Sequence, residues 1–169
     1  IIWIRHFILI TYIPVYENFN LSSPPRGRTH WCGGTIHKHF KNKDKIFAVS
    51  FTDGVGSRNT GNQNKIRRKK QSIKVSKILG FNWINQYSLP DNSLDQIPIL
   101  KIIKKIEKIK KEINPEIVYT HSKYDLNIDH RIIFQSTLTA FRPQPKDNSV
   151  EIRCMEISSA TDYGDQMNF

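Results

Sequence analysis

The stretch Glu116–Arg131, EIVYTHSKYDLNIDHR, decides the fold. Its first five residues, Glu116 to Thr120, form an apolar and β-prone run that reads as a buried strand. From His121 to Ile128 the sequence turns polar and reads as a loop. A helix then begins near Asp129 and His130. Asn127 is its expected N-cap, because an asparagine side chain accepts a hydrogen bond from the amides of a first turn. A strand that feeds a polar loop and then a helix is the repeating unit of a parallel α/β sheet.

The same unit recurs upstream. Gly33 and Gly34 open a segment, Thr35 to Lys41, that reads as a short helix. Lys45 to Thr52 (KIFAVSFT) reads as a strand, and it runs into a loop from Asp53 to Gln63 rich in Gly, Asn and Ser. Lys65 to Leu79 follows as a helix with a basic outer face. Between Ile97 and Ile113, apolar Leu100, Ile103, Ile106, Ile109 and Ile113 recur at helical spacing with lysines between them, and Pro115 stops the helix. Val150 to Ser158 is the expected last strand. The alternation predicts a Rossmann-like, three-layer α/β fold with a mostly parallel sheet and a site outside the strands' carboxyl ends. The loops at Asp53 and at His121 both fall at that edge.

A chain of 169 residues makes one such domain and is short for two. The formal net charge of +11 draws the protein toward anions of any kind. Much of the excess sits in Lys65–Lys70 (KIRRKK) and in the lysines of the 97–113 helix. There a solvated helix face is the plainer reading, so no specific nucleic acid is expected. The two cysteines, Cys32 and Cys154, have no paired spacing, which argues against a disulfide framework and suits a reducing, cytoplasmic compartment. The apolar run Ile1–Pro14 is too short to span a membrane and carries Arg5 and His6 inside it. His121, at the end of a strand on the site edge, is placed either to contact substrate or to serve as a structural histidine. Arg58, in the loop after Asp53, is placed to grip an anionic or sugar substrate, with plain solvation as its alternative.

Two motifs carry a resemblance to a known family. One is CGGTIHKH, Cys32–His39, followed by the strand ending Thr52-Asp53-Gly54. The other is YTHSKYDLNIDHR, Tyr119–Arg131, followed by LTAFRP, Leu138–Pro143. Over about Cys32 to Ser159 the chain resembles the LmbE/PIG-L zinc-dependent N-deacetylases, in the branch whose second motif reads D-L-N-x-D-H-R. The resemblance implies a hydrolase that removes an acyl group from an N-acetylated amino sugar or related amide. It implies a zinc ion held by two histidines and an aspartate, a metal-polarised carbonyl and an activated water. It implies that His130 is a metal ligand and that Asp129 orients it or a neighbouring group, unless Asp129 is only a helix-terminal charge. Asn127 lies where other branches carry an oxyanion-stabilising histidine, and N-capping is the competing role. Asp53, Arg58 and His121 are the expected substrate-binding residues.

The chain departs from the family where the first motif, A-H-P-[DE]-D-E, should stand. There it reads SPPRGR, Ser23–Arg28, with no ligand and no general base. Read one base later, the codons allowed for Pro24 to Trp31 admit His-Pro-Glu-Asp-Glu-His-Ile-Gly, and those for Tyr16 to Ser23 admit a start codon and a first strand. The expectation is therefore two segments: residues 1–31, out of frame and foreign to the fold, and residues 32–169, an incomplete deacetylase domain. The first strand is expected to be corrupted and the carboxyl end truncated, and the chain to be inactive as given. The implied partner is a small amino-sugar substrate, with no membrane and with a homo-oligomer left open. Two other classes stay open: a non-catalytic sugar-binding relic, and a basic nucleic-acid-binding protein whose affinity would fall steeply with salt.

Overall fold

The structure, a computed structural model, describes residues 5–10, 33–52, 62–145, 147–155 and 157, with residues 5–10 described by their backbone. Among the described residues five strands and four helices alternate: β1 (Arg5–Ile10), α1 (Gly33–Lys41), β2 (Lys45–Thr52), α2 (Asn62–Leu79), β3 (Asn82–Leu89), α3 (Ile99–Ile113), β4 (Ile117–Thr120), α4 (Ile128–Ala140) and β5 (Glu151–Cys154). A 3-10 turn at Leu94–Gln96 leads into α3. The strands form one sheet in the order β3-β2-β1-β4-β5, and every neighbouring pair is parallel. The Rossmann-like, parallel α/β reading of the sequence holds.

A parallel sheet is covered on both faces, and β2 shows why its sequence is apolar throughout. Val49 and Phe51 join one core with the α3 isoleucines, Val118 of β4 and Ile133 and Ala140 of α4. Ile46 and Ala48, pointing the other way, join a second core with Ile36 of α1, Val75 and Leu79 of α2, and Tyr119 of β4. These are the three layers.

Two expectations are corrected. Within the segment 1–31, expected to be out of frame, the backbone of Arg5–Ile10 (RHFILI) lies at the sheet centre, paired with β2 on one side and β4 on the other. A slot between two parallel strands takes a short β-prone run, and RHFILI ends in four apolar residues. The strand β3 was not foreseen, because NWINQYSL places Asn82, Asn85 and Gln86 among its apolar residues; it is an edge strand with Asn82, Asn85 and Ser88 exposed and the rest half-buried. In α3 the helical phase differs by one position at its start. Leu100 is 56% exposed, while Ile102, absent from the expected stripe, is fully buried beside Ile103, Ile106, Ile109 and Ile113.

Local stops are legible. The helix α3 ends where Asn114 adopts a left-handed backbone, φ 47°, and its amide donates to the Lys110 carbonyl. The helix α2 ends at Gly80, φ 76°, where a Cβ would overlap the Phe40 ring. At the end of α4, Lys110 Nζ donates to the Ala140 carbonyl and pairs with Asp147 at 2.6 Å.

Candidate functional site

The strand order reverses at β1: β2 and β3 lie on one side and β4 and β5 on the other. Ligands of open parallel sheets bind in the crevice outside the strand ends at such a reversal. His121 follows directly on the end of β4, so the loop from His121 to Asn127 opens at that crevice.

Asp125 organises the loop. Its carboxylate is fully buried, with Oδ2 2.8 Å from His130 Nδ1 and Oδ1 accepting the Asn127 amide at 3.0 Å. The Asp125 amide donates to the Ser122 carbonyl at 3.3 Å. Arg131 Nη1 donates to the carbonyls of Asp125 and Leu126 at 2.8 and 3.0 Å. His130, in the first turn of α4, is buried, and its ring stacks on that of His121 with centroids 4.0 Å apart and planes 6° apart. His121 is fully buried. Burial, and then the charge available to His130, hold its pKa well below the usual histidine value, so the His121 imidazole stays neutral.

Asn127 caps α4 as expected: its Oδ1 accepts the Asp129 amide at 2.8 Å, while its Nδ2 donates to Asn92 Oδ1 at 3.0 Å. The Asp129 carboxylate accepts the amides of Asn92 and Leu94 at 2.8 and 2.9 Å. It thereby clamps the segment after β3 onto the start of α4. Burial raises its pKa, the Asp91 charge adds to the rise, and the two amide bonds and the His130 charge oppose it. The carboxylate that meets His130 is therefore that of Asp125, and the Asp129 oxygens are committed to main chain. Asp53 and Arg58, like Ser23–Arg28, lie outside the described residues.

Among the described residues, His121, Asp125 and His130 are a group whose donor atoms, all within 4.8 Å of one another, could share a metal ion. Their arrangement does not fit a closed zinc site. Imidazole lone pairs lie in the ring plane, so two rings stacked 4.0 Å apart aim theirs side by side and not at one point. The 2.8 Å between Asp125 Oδ2 and His130 Nδ1 is a hydrogen-bond distance. Two ligands of a tetrahedral zinc with bonds near 2.1 Å stand about 3.4 Å apart. With His130 Nδ1 taken by Asp125, the ring nitrogen left over is Nε2.

A parallel sheet with histidines and a buried carboxylate at its strand reversal defines an open α/β protein with a polar site at the sheet edge, and comparison supplies the family. Residues 28–141 match the family described as PIG-L, GlcNAc-PI de-N-acetylase. The chain belongs to that family. No curated protein sequence matches it. Among solved structures it is similar to the N,N'-diacetylchitobiose deacetylase from Pyrococcus horikoshii, with a TM-score of 0.66 and 18% identity over 90% of this chain and 60% of that one. A deacetylase of teicoplanin biosynthesis, in complex with teicoplanin, gives a TM-score of 0.67 and 11% identity over 95% and 72%. The 4-carboxy-2-hydroxymuconate hydratase GalB from Pseudomonas putida KT2440 gives 0.60 and 15% over 87% and 62%. The chain thus spans about 60% of the length of the chitobiose deacetylase. These likenesses show the fold, and a hydratase among them means that the fold alone does not name the reaction. No helix among the described residues is long and apolar enough to cross a membrane.

Asp125 was missed from sequence as a site residue. The signal was the acid five positions before His130 in the DLNIDH motif. With a loop and one helical turn between them, such a spacing folds a carboxylate back onto the ring.

Proposed function

We propose that the site is that of a zinc-dependent N-deacetylase acting on an N-acetylated amino sugar or related amide, and that this chain is a catalytically inactive copy. The observation that carries the reading is the buried Asp125–His130 pair, at the strand reversal and inside the family-matched segment. A carboxylate behind a histidine is how proteins orient an imidazole toward a metal. Amide hydrolysis also needs further ligands and a base. The position of the family's first motif, Ser23–Arg28, offers one serine, two prolines, a glycine and two arginines in place of them.

The family match covers residues 28–141 and so leaves out most of that segment. On this reading residues 1–31 are out-of-frame sequence, and RHFILI occupies the central slot because its composition suits it. The restored protein would act on a small molecule in the cytoplasm.

Sequencing the DNA that encodes Tyr16–Gly33 tests the frame, and metal analysis with an acetate-release assay on N-acetylglucosamine and N,N'-diacetylchitobiose tests the activity. The expected results are a chain that holds no stoichiometric zinc and releases no acetate, and a frame-restored chain that does both. Acetate release by the chain as it stands would refute inactivity. A restored chain without zinc would refute the deacetylase reading.

A further inference from the structure

We propose that Asp125 is the positioning residue of this site: its carboxylate fixes His130 as the Nδ1–H tautomer and so reserves Nε2 for an outside ligand. The identity of that ligand rests on the deacetylase reading above; the tautomer does not.

An ionised carboxylate only accepts hydrogen bonds, so the 2.8 Å contact from Asp125 Oδ2 places the proton on Nδ1. The carboxylate cannot swing away. Oδ1 holds the Asn127 amide, the residue's own amide holds the Ser122 carbonyl, and Arg131 holds its carbonyl oxygen. The ring cannot turn freely either, since the His121 imidazole lies flat against it. Stack and hydrogen bond together set the plane, the direction and the proton of His130.

Asp125→Asn separates positioning from mere packing, because it preserves shape. An asparagine has one oxygen, so its amide nitrogen must face either the Asn127 N–H or His130 Nδ1. A backbone donor cannot change, whereas an imidazole can move its proton to Nε2. The variant should therefore keep the Asn127 bond, donate to a bare Nδ1 and invert the tautomer. The atom presented to a ligand would then carry a proton and could not bind a cation.

The test is nitrogen-detected NMR of the full chain with 15N-labelled histidine at neutral pH, without metal or substrate. The expected result is a protonated-type Nδ1 and a pyridine-type Nε2 for His130 in the wild type, and the reverse in D125N. An Nε2–H ring in the wild type, or an unchanged Nδ1–H ring in folded D125N, overturns the proposal. Should D125N fail to fold, the wild-type tautomer alone decides. An Nδ1–H wild-type ring in a frame-restored protein that neither binds zinc nor releases acetate defeats the deacetylase reading and leaves the role of Asp125 standing.

Discussion

Asp129 belongs to the motif that resembles a catalytic signature, yet its oxygens hold the amides of Asn92 and Leu94. Replacing it with alanine would leave both amides without their acceptor. Hydrogen bonds to a charged group contribute about 1.5–3 kcal/mol each, so two of them bound the loss at about 3–6 kcal/mol. The native carboxylate also bears a burial cost, visible as its raised pKa, and alanine removes that cost. The expected loss is therefore near the lower bound, about 3 kcal/mol, a large share of the 5–15 kcal/mol typical of a domain. Urea unfolding followed by circular dichroism measures it as a lower midpoint at unchanged slope. A loss below about 1 kcal/mol would mean that the clamp contributes little and would return Asp129 to a role at the site. The pH dependence provides a second check. A carboxyl whose folded pKa is raised binds its proton more tightly folded than unfolded, so its contribution to stability falls as pH rises through that window. Relative to Asp129→Asn, the wild type should therefore gain stability as the pH is lowered toward the ordinary aspartate value.

Ile102→Ala should cost about 2–5 kcal/mol, as expected for a fully buried isoleucine, and Leu100→Ala no more than about 0.5; equal losses would put the α3 stripe back in the phase read from sequence. Gly80→Ala should lower the melting temperature, since the new methyl meets Phe40 and the backbone is left-handed, with a cost of about 1–2 kcal/mol from the conformation alone. His121 is held neutral in the folded chain, so below pH 6.5 only the unfolded chain takes its proton. Stability should then fall by up to about 1.4 kcal/mol per pH unit, and His121→Gln should flatten that slope; parallel pH profiles for the two proteins would contradict the assignment.

The fold was readable wherever a strand is apolar along its length or a helix shows an unbroken stripe. KIFAVSFT gave β2 to the residue because both faces of that strand are buried. Asn127 was readable as a cap because capping is local chemistry. Edge strand β3 was not, since half-exposed positions accept the polar residues that otherwise mark loops. At the site, the motif pointed to His130 and His121 and left Asp129 open between orienting a histidine and serving as a helix-terminal charge, while Asp125 went unnoticed. Adjacency along a helix start directs side chains apart, and only the folded loop returns Asp125 to the ring. The central strand was missed for a different reason: its apolar part is only four consecutive residues, Phe7–Ile10, too short a run to show a period.

That central position also sets a timetable. During synthesis β1 emerges before β2 and can pair with it soon afterwards, His6 beside Ile46. Its other edge must wait for β4, where His6 meets Ile117. Most of the chain is translated while that row of amides and carbonyls stands open, and late, long-range pairing of parallel strands is slow. An open edge recruits whatever strand is nearby, a neighbouring nascent copy included. The reversal that creates the crevice thus closes only once β4 has emerged, and until then the hazard of misassembly lies on one side of one strand.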